Sequence, residues 1–290
     1  MFRDIVRLLR IQQWYKNVVV FFAIIFALQF TNVGYVILTM WGFFGLCLVS
    51  SANYIVNDIL DRDGDRYHPE KNTRPIASGK ISVTRAVFIA GLLLVLGFYI
   101  GYRLSFMFLV LEIMLFTLTT LYSLYFKKEA IADVLFISTN FTIRAVAGAF
   151  ITSSSENMLL PAISISPWLI LCPFFLALFL ALGKRYADLC LLGKSAVKHK
   201  EVYKYYTKQN LATYMDVTTA LLIICYALFS FFSAHLLLFS IPFALYGIFR
   251  YHYFVYNKPE IARKPHKLFA DKRMVVTGIL WGLTVLVALL

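Results

Sequence analysis

Long apolar stretches alternate with short polar clusters along the whole chain. Nine apolar segments stand out, at about 17–34, 35–57, 84–102, 104–126, 130–152, 165–189, 210–233, 235–255 and 273–290. Each approaches the roughly 20 predominantly apolar residues that carry an α-helix across a bilayer core. The pattern predicts an all-α, polytopic membrane protein with nine transmembrane helices in a single domain, 1–290. Several turns between segments are very short, which favours antiparallel neighbours in one bundle. The polar stretches 58–83, 184–209 and 256–272 read as connecting loops or short helices, and no short-period repeat or separate soluble domain is visible.

Composition strengthens this reading. Of 290 residues, 60% are hydrophobic and 15% charged, whereas soluble domains carry about a quarter charged residues. A net charge of +13 could suggest nucleic acid, but the bases sit between the apolar segments, where positive charge sets membrane topology. Lys and Arg occupy the N-terminal stretch (Arg3, Arg7, Arg10, Lys16) and the connections after segments two, four, six and eight. The connections on the other side hold a single base, Arg103. The positive-inside rule then predicts a multi-pass protein of the cell (inner) membrane, with a cytoplasmic N-terminus and, after nine spans, the C-terminus outside. The start, MFRDIVRLLRIQQWYKN, is a basic amphipathic stretch with no cleavable-signal pattern. Cys47, Cys172, Cys190 and Cys225 lie scattered in apolar runs and read as small core residues.

The second apolar segment runs directly into Asn57-Asp58-Ile59-Leu60-Asp61-Arg62-Asp63-Gly64-Asp65. At about 100° per residue, Asp58, Asp61 and Asp65 fall within about 60° of one another on a helix, and Asp63 falls opposite. Three carboxylates on one face repel unless a cation lies among them. Oxygen ligands suit a hard ion such as magnesium, which takes one or two carboxylates and completes its shell with water and phosphate oxygens. A solvated acidic helix end is the bland alternative. Against it stand the aligned spacing, the preceding Asn57, and the bases Arg66, Lys71, Arg74 and Lys80 that follow. Pro69 and Pro75 break that basic run away from helix, so it should fold back beside the acids. Acids that hold metal next to bases that hold phosphate form a diphosphate site. Lys80 and Arg85 are equally well read as positive-inside residues alone.

A second polar cluster, Gly183-Lys184-Arg185-Tyr186-Ala187-Asp188, ends the sixth segment, while Lys127 and Lys128 end the fourth and Asp133 opens the fifth. Arg144 lies mid-segment, where a charge marks either a function or a buried ion pair. Glu112, inside the fourth segment, is a candidate to neutralise it. His199, His235, His252 and His266 show no metal-ligand spacing, and neither a nucleophile triad nor a phosphate-cradling GxxxxGK[ST] loop is present.

The run NDILDRDGD resembles the NDxxDxxxD signature of the UbiA superfamily of intramembrane prenyltransferases. The chain is similar, more narrowly, to the decaprenyl-phosphate phosphoribosyltransferase branch. The matching segments are QQWYKN (12–17), YIVNDILDRDGDRYHPEKNTRPIASG (54–79), YSLYFKKEAIADV (122–134), FTIRAVAGAF (141–150), GKRYADL (183–189) and ADKR (270–273). The resemblance implies a UbiA-like helical bundle with its polar site at the cytoplasmic helix ends. It implies Mg²⁺-dependent transfer of 5-phosphoribose from phosphoribosyl diphosphate to a polyprenyl phosphate. Metal and diphosphate contacts fall on Asn57, Asp58, Asp61 and Asp65. By extension, Lys16, Lys71, Arg74, Tyr122, Lys127, Arg144, Lys184, Arg185 and Asp188 become substrate-binding candidates. The lipid bilayer is the expected surrounding, nucleic acid is not an expected partner, and a homo-oligomer is compatible with the sequence.

One departure bears on the reaction. Ordinary prenyltransferases of the family carry a second aspartate-rich motif near the end of the sixth span, whereas GKRYADL has one acid, Asp188, and two bases. Exchanging acid for base suits a phosphorylated sugar donor and a phosphate acceptor. The rival enzyme moves a prenyl group from a prenyl diphosphate to an aromatic or glycerol-phosphate acceptor, and substrate tests separate the two. A transporter or lipid-binding scaffold is a third reading. Transporters more often show repeat symmetry and broken helices at the membrane midplane, and neither is visible here.

Overall fold

The computed structural model describes residues 2–67, 71–151, 163 and 167–289, and these contain helices and no strands. His68, Pro69 and Glu70 of the predicted loop lie outside the described residues. The main helices are α1 (Phe2–Leu9), α2 (Val33–Leu60), α3 (Val83–Leu104), α4 (Phe106–Leu124), α5 (Ala132–Ala149), α6 (Pro167–Leu192), α7 (Lys208–Ser233), α8 (Ile241–Asn257) and α9 (Lys272–Leu289). Among the described residues, six of them (α2, α3, α4, α6, α7 and α9) are long and apolar enough to cross a membrane. The other three predicted segments are helical but shorter or more polar. The first is a 3-10 helix, Ile11–Phe21, running into Phe22–Phe26; the others are α5, which carries Asp133 and Arg144, and the 17-residue α8.

The chain divides into two compact units, 1–126 with 140–165 and 127–139 with 166–290. In the first, α2 and α3 pack most extensively. Small residues make this possible: a Cβ added at Gly97 of α3 would run into Val49 and the Gly45 carbonyl of α2, as expected where membrane helices approach closely. Along α3 the buried positions are Ala86, Ala90, Leu93, Gly97, Gly101 and Leu104, the three-and-four spacing of a single helix face. Its opposite face exposes Val87, Phe88, Leu92, Val95 and Tyr99. So many exposed large apolar side chains suit lipid and not water. Helix starts follow ordinary capping chemistry. Asn32, Ser82 and Ser105 accept backbone N–H groups of Gly34, Arg85 and Phe108 at 3.0, 3.4 and 2.9 Å.

In the second unit, α6 packs chiefly on α7, around Phe179, Leu182, Leu211, Met215, Tyr251 and Phe254. Tyr251 lies directly over Gly183, where any Cβ would meet its ring. Asp271 caps α9 by accepting the Met274 N–H at 2.9 Å and also takes a 2.7 Å bond from Arg250. The ADKR segment thus has a structural task.

Candidate active site

In the first unit the polar residues gather at the end of α2. The helix runs to Leu60, and backbone bonds from Asp61 to Asn57 and from Asp65 to Asp61, both 2.9 Å, carry the winding into the short helix Arg62–Arg66. That continuity puts Asp58 and Asp65, two turns apart, on one buried face, while Asp63 is exposed. The following loop returns because Ile76 is fully buried against Leu8, Ala52 and Ile55. Anchored there, Arg74 reaches both acids. Its Nη1 donates to Asp58 Oδ1 at 3.0 Å and to Asp65 Oδ2 at 2.5 Å. Lys71 Nζ stands 3.7 Å from Asp65 Oδ1. Asp61 is half-buried and accepts from Asn57 Nδ2 at 3.3 Å.

The N-terminal segment adds a residue that sequence reasoning missed. Arg10 Nη2 donates to Asp58 Oδ1 at 2.5 Å, and its guanidinium sits 4.9 Å from the centre of the Tyr54 ring. In sequence it is one of several N-terminal bases. Its left-handed backbone, φ 49° and ψ 45°, becomes visible only once the chain is folded. The Ile11–Phe21 stretch that follows is pinned by Trp14 Nε1 donating to Ser51 Oγ at 3.0 Å. Asn17 Nδ2 donates to Cys47 Sγ at 3.2 Å. Lys16 lies partly buried between these anchors.

Arg144 is buried, and the structure does not pair it with the candidate Glu112. Its Nε donates to Asn17 Oδ1 and its Nη1 to the Asn140 carbonyl, both at 2.7 Å. Glu112 takes no part: it is fully buried on α4, neither carboxyl oxygen has a hydrogen-bond partner among the described residues, and it lies against Gly45 and Gly101. Neutral acceptors can satisfy a guanidinium at hydrogen-bond range, and that chemistry leaves no trace in a charge pattern. Tyr122 is half-buried on α4.

The second unit has its own polar network. Asp133, fully buried at the start of α5, accepts from Arg185 Nε at 2.8 Å and from the Tyr206 hydroxyl at 2.6 Å. Asp188 accepts from the Tyr203 hydroxyl at 2.5 Å and has Arg263 Nε 2.8 Å from its other oxygen. Lys184 is exposed and Lys127 half-buried. Burial, and then the neighbouring Arg185 guanidinium, push the Lys200 ammonium down to about 7. Burial likewise raises the Tyr203 and Tyr206 phenols above their ordinary range. Tyr203, Tyr206 and Arg263 carried no motif signal; only folding brings them to acids more than ten residues away.

The donor set at the end of α2 fits a hard cation. Asp58 and Asp65 aim their oxygens at one point, and the Arg74 guanidinium already fills it with positive charge. Among the described residues no three His, Cys, Asp or Glu side chains converge. The protein would therefore lend Mg²⁺ two carboxylates, with Asp61 and Asn57 alongside, and leave the remaining positions to water and phosphate oxygens, as that ion commonly takes.

These features define a class: a multi-pass helical membrane protein with a buried acid–base site at a helix end. The chain belongs to the UbiA prenyltransferase family, whose model matches residues 18–289. It is 29% identical over 231 residues to the decaprenyl-phosphate phosphoribosyltransferase of Mycolicibacterium smegmatis, covering 78% of this chain and 70% of that one. The enzyme of that name from Corynebacterium glutamicum is 29% identical over 246 residues, covering 78% and 67%. The fold is similar to that of a digeranylgeranylglyceryl phosphate synthase, with a TM-score of 0.68, 18% identity, and 99% and 96% of the two chains covered. It is also similar to a UbiA homolog from Archaeoglobus fulgidus bound to GPP and Mg²⁺, with a TM-score of 0.61, 17% identity and 97% and 96% covered.

Proposed function

We propose that the protein transfers 5-phosphoribose from phosphoribosyl diphosphate to a polyprenyl phosphate of the decaprenyl type, releasing diphosphate, at the cytoplasmic face of the cell membrane. The reading takes residues 1–290 as one transferase with nine crossings, a cytoplasmic N-terminus and an external C-terminus. The observation that carries it is the convergence of Asp58 and Asp65 on one cationic point, flanked by Lys71 and Arg10. The names of the relatives carry the same transferred group and the same acceptor class.

In this mechanism Asp58 and Asp65, with Asp61 and Asn57 beside them, would hold Mg²⁺. When bound, that ion neutralises charge on the departing diphosphate. Lys71 and Arg74 hold the diphosphate oxygens, where fixed cations favour the charge that develops as the bond breaks. The bond from the anomeric carbon to the diphosphate oxygen breaks, and a new bond forms from that carbon to an oxygen of the lipid phosphate. The nucleophile is already anionic near neutral pH, so no general base is required. Lys16, Tyr122, Lys127, Arg144, Lys184, Arg185 and Asp188 are assigned to the remaining phosphate and ribose contacts.

Asp188 bears on the rival reaction. Prenyl transfer in this family is expected to need a second acidic motif, and the acid standing there is engaged by Tyr203 and Arg263. One acid beside the bases Lys184 and Arg185, where a second acidic motif would stand, supports phosphoribosyl transfer. The test uses purified protein in detergent with Mg²⁺, polyprenyl phosphate and ribose-labelled phosphoribosyl diphosphate. Label should enter the organic phase, and a chelator or Asp58→Asn should stop it. Undiminished transfer by Asp58→Asn would remove the acids from the mechanism.

A further inference from the structure

Two guanidiniums, not one, press on Asp58. Arg10 and Arg74 both donate to its Oδ1, at 2.5 and 3.0 Å, and Arg74 bridges onward to Asp65. Oδ1 is an oxygen that a metal would need, and it is already shared by two cations. Asp58 and Asp65 already meet three bases, Arg10, Arg74 and Lys71, at 2.5–3.7 Å. The two carboxylates are thus compensated without a metal. A divalent cation entering alone would leave excess positive charge in a largely buried place, where charge is weakly screened. A donor diphosphate brings roughly three negative charges near neutral pH and offsets that excess.

We propose that Arg10 and Arg74 are placeholders for the metal that turn to the donor's diphosphate when the metal enters, so that metal and diphosphate bind together and not singly. Arg10 thereby becomes a donor-binding residue in its own right. Its backbone supports this. A non-glycine residue at φ 49° is uncommon, and it persists because the chain on both sides is fixed. Leu8 is fully buried against Ile55 and Ile76 on one side, and Trp14 is bonded to Ser51 on the other. The turn aims the guanidinium across Tyr54 at Asp58, with the Arg10 side chain 22% exposed. A planar fork of five donors is suited to leave a carboxylate for a phosphate at little cost. The inference rests on the reading that these acids hold a metal beside a diphosphate, whichever group the diphosphate carries.

The test is equilibrium dialysis of the full chain in detergent micelles. Mn²⁺ serves as the metal probe and inorganic diphosphate as the anion, and retained ion is counted against the dialysate. The wild type should bind Mn²⁺ at least about tenfold more tightly when diphosphate is present, a coupling within the usual range. Arg10→Gln and Arg74→Gln should each bind Mn²⁺ more tightly without diphosphate, and Arg10→Lys should restore much of the wild-type coupling. Equal Mn²⁺ affinity with and without diphosphate overturns the proposal, and that comparison needs no variant to fold. Absence of Mn²⁺ binding under both conditions overturns it together with the metal role in the proposed function. Coupled binding without phosphoribosyl transfer upholds it while the choice of donor fails.

Discussion

Glu112 offers a direct trial of the physical reasoning, because its sequence context and its structure point in opposite directions. An acid inside a membrane span is a functional candidate by default, yet this one has no hydrogen-bond donor among the described residues. A buried polar group left without a partner costs about 1–3 kcal/mol. Methionine has nearly the same length and no polar atoms, so Glu112→Met should recover most of that amount. With about 2–4 °C per kcal/mol for a chain of this size, the thermal midpoint in detergent should rise by several degrees. Glu112→Gln keeps two unpaired polar atoms and should gain little. The packing supplies an internal control. A Cβ at Gly101 would strike the Glu112 carboxyl, so Gly101→Ala should be severe in the wild type and milder in Glu112→Ala. Thiol-reactive dye unfolding would read all of these. A lower midpoint for Glu112→Met, or lost activity at unchanged midpoint, would refute the view that the acid is an uncompensated burden.

Other expectations concern the second unit. Asp133→Asn strips charge from a pair in which Arg185 is 4% exposed; breaking such a pair costs about 3–5 kcal/mol. The midpoint should fall by many degrees and recover in part on adding Arg185→Met, whereas an unchanged midpoint would contradict the buried pair. Lys200 titrates near 7 when folded and at its ordinary 10.5 when unfolded. The unfolded chain therefore binds more protons between those values, and stability should rise with pH across that window. Lys200→Met should raise the midpoint near pH 6 and have a shrinking effect toward about pH 10. A pH-independent effect would contradict the depressed ammonium.

Much of the fold is legible in sequence because membrane spans announce themselves by length and apolarity. The segments at 84–102 and 210–233 match α3 (Val83–Leu104) and α7 (Lys208–Ser233) within two residues at each end. The weakest match is the first segment: its 3-10 helix begins at Ile11, inside what reads as a polar N-terminal stretch. The 3.6 period placed Asp58 and Asp65 on one face, and Pro75 correctly marked a loop that returns to them. Arg10 was hidden because its role depends on one left-handed residue and on Leu8 docking against distant helices. The pairing of Arg144 with Glu112, one of two readings the sequence left open, is not formed, because charge arithmetic cannot foresee that Asn17 would satisfy a guanidinium from 127 positions away.

The most direct measurement gives the purified protein two donors in one vessel. Ribose-labelled phosphoribosyl diphosphate and a differently labelled prenyl diphosphate are mixed with Mg²⁺, a polyprenyl phosphate and an aromatic acceptor. The proposed chemistry requires ribose label in the lipid fraction and none of the prenyl label on the aromatic acceptor. Prenyl label on the aromatic acceptor, with phosphoribosyl diphosphate untouched, would contradict it and assign the site at Asp58 and Asp65 to prenyl transfer.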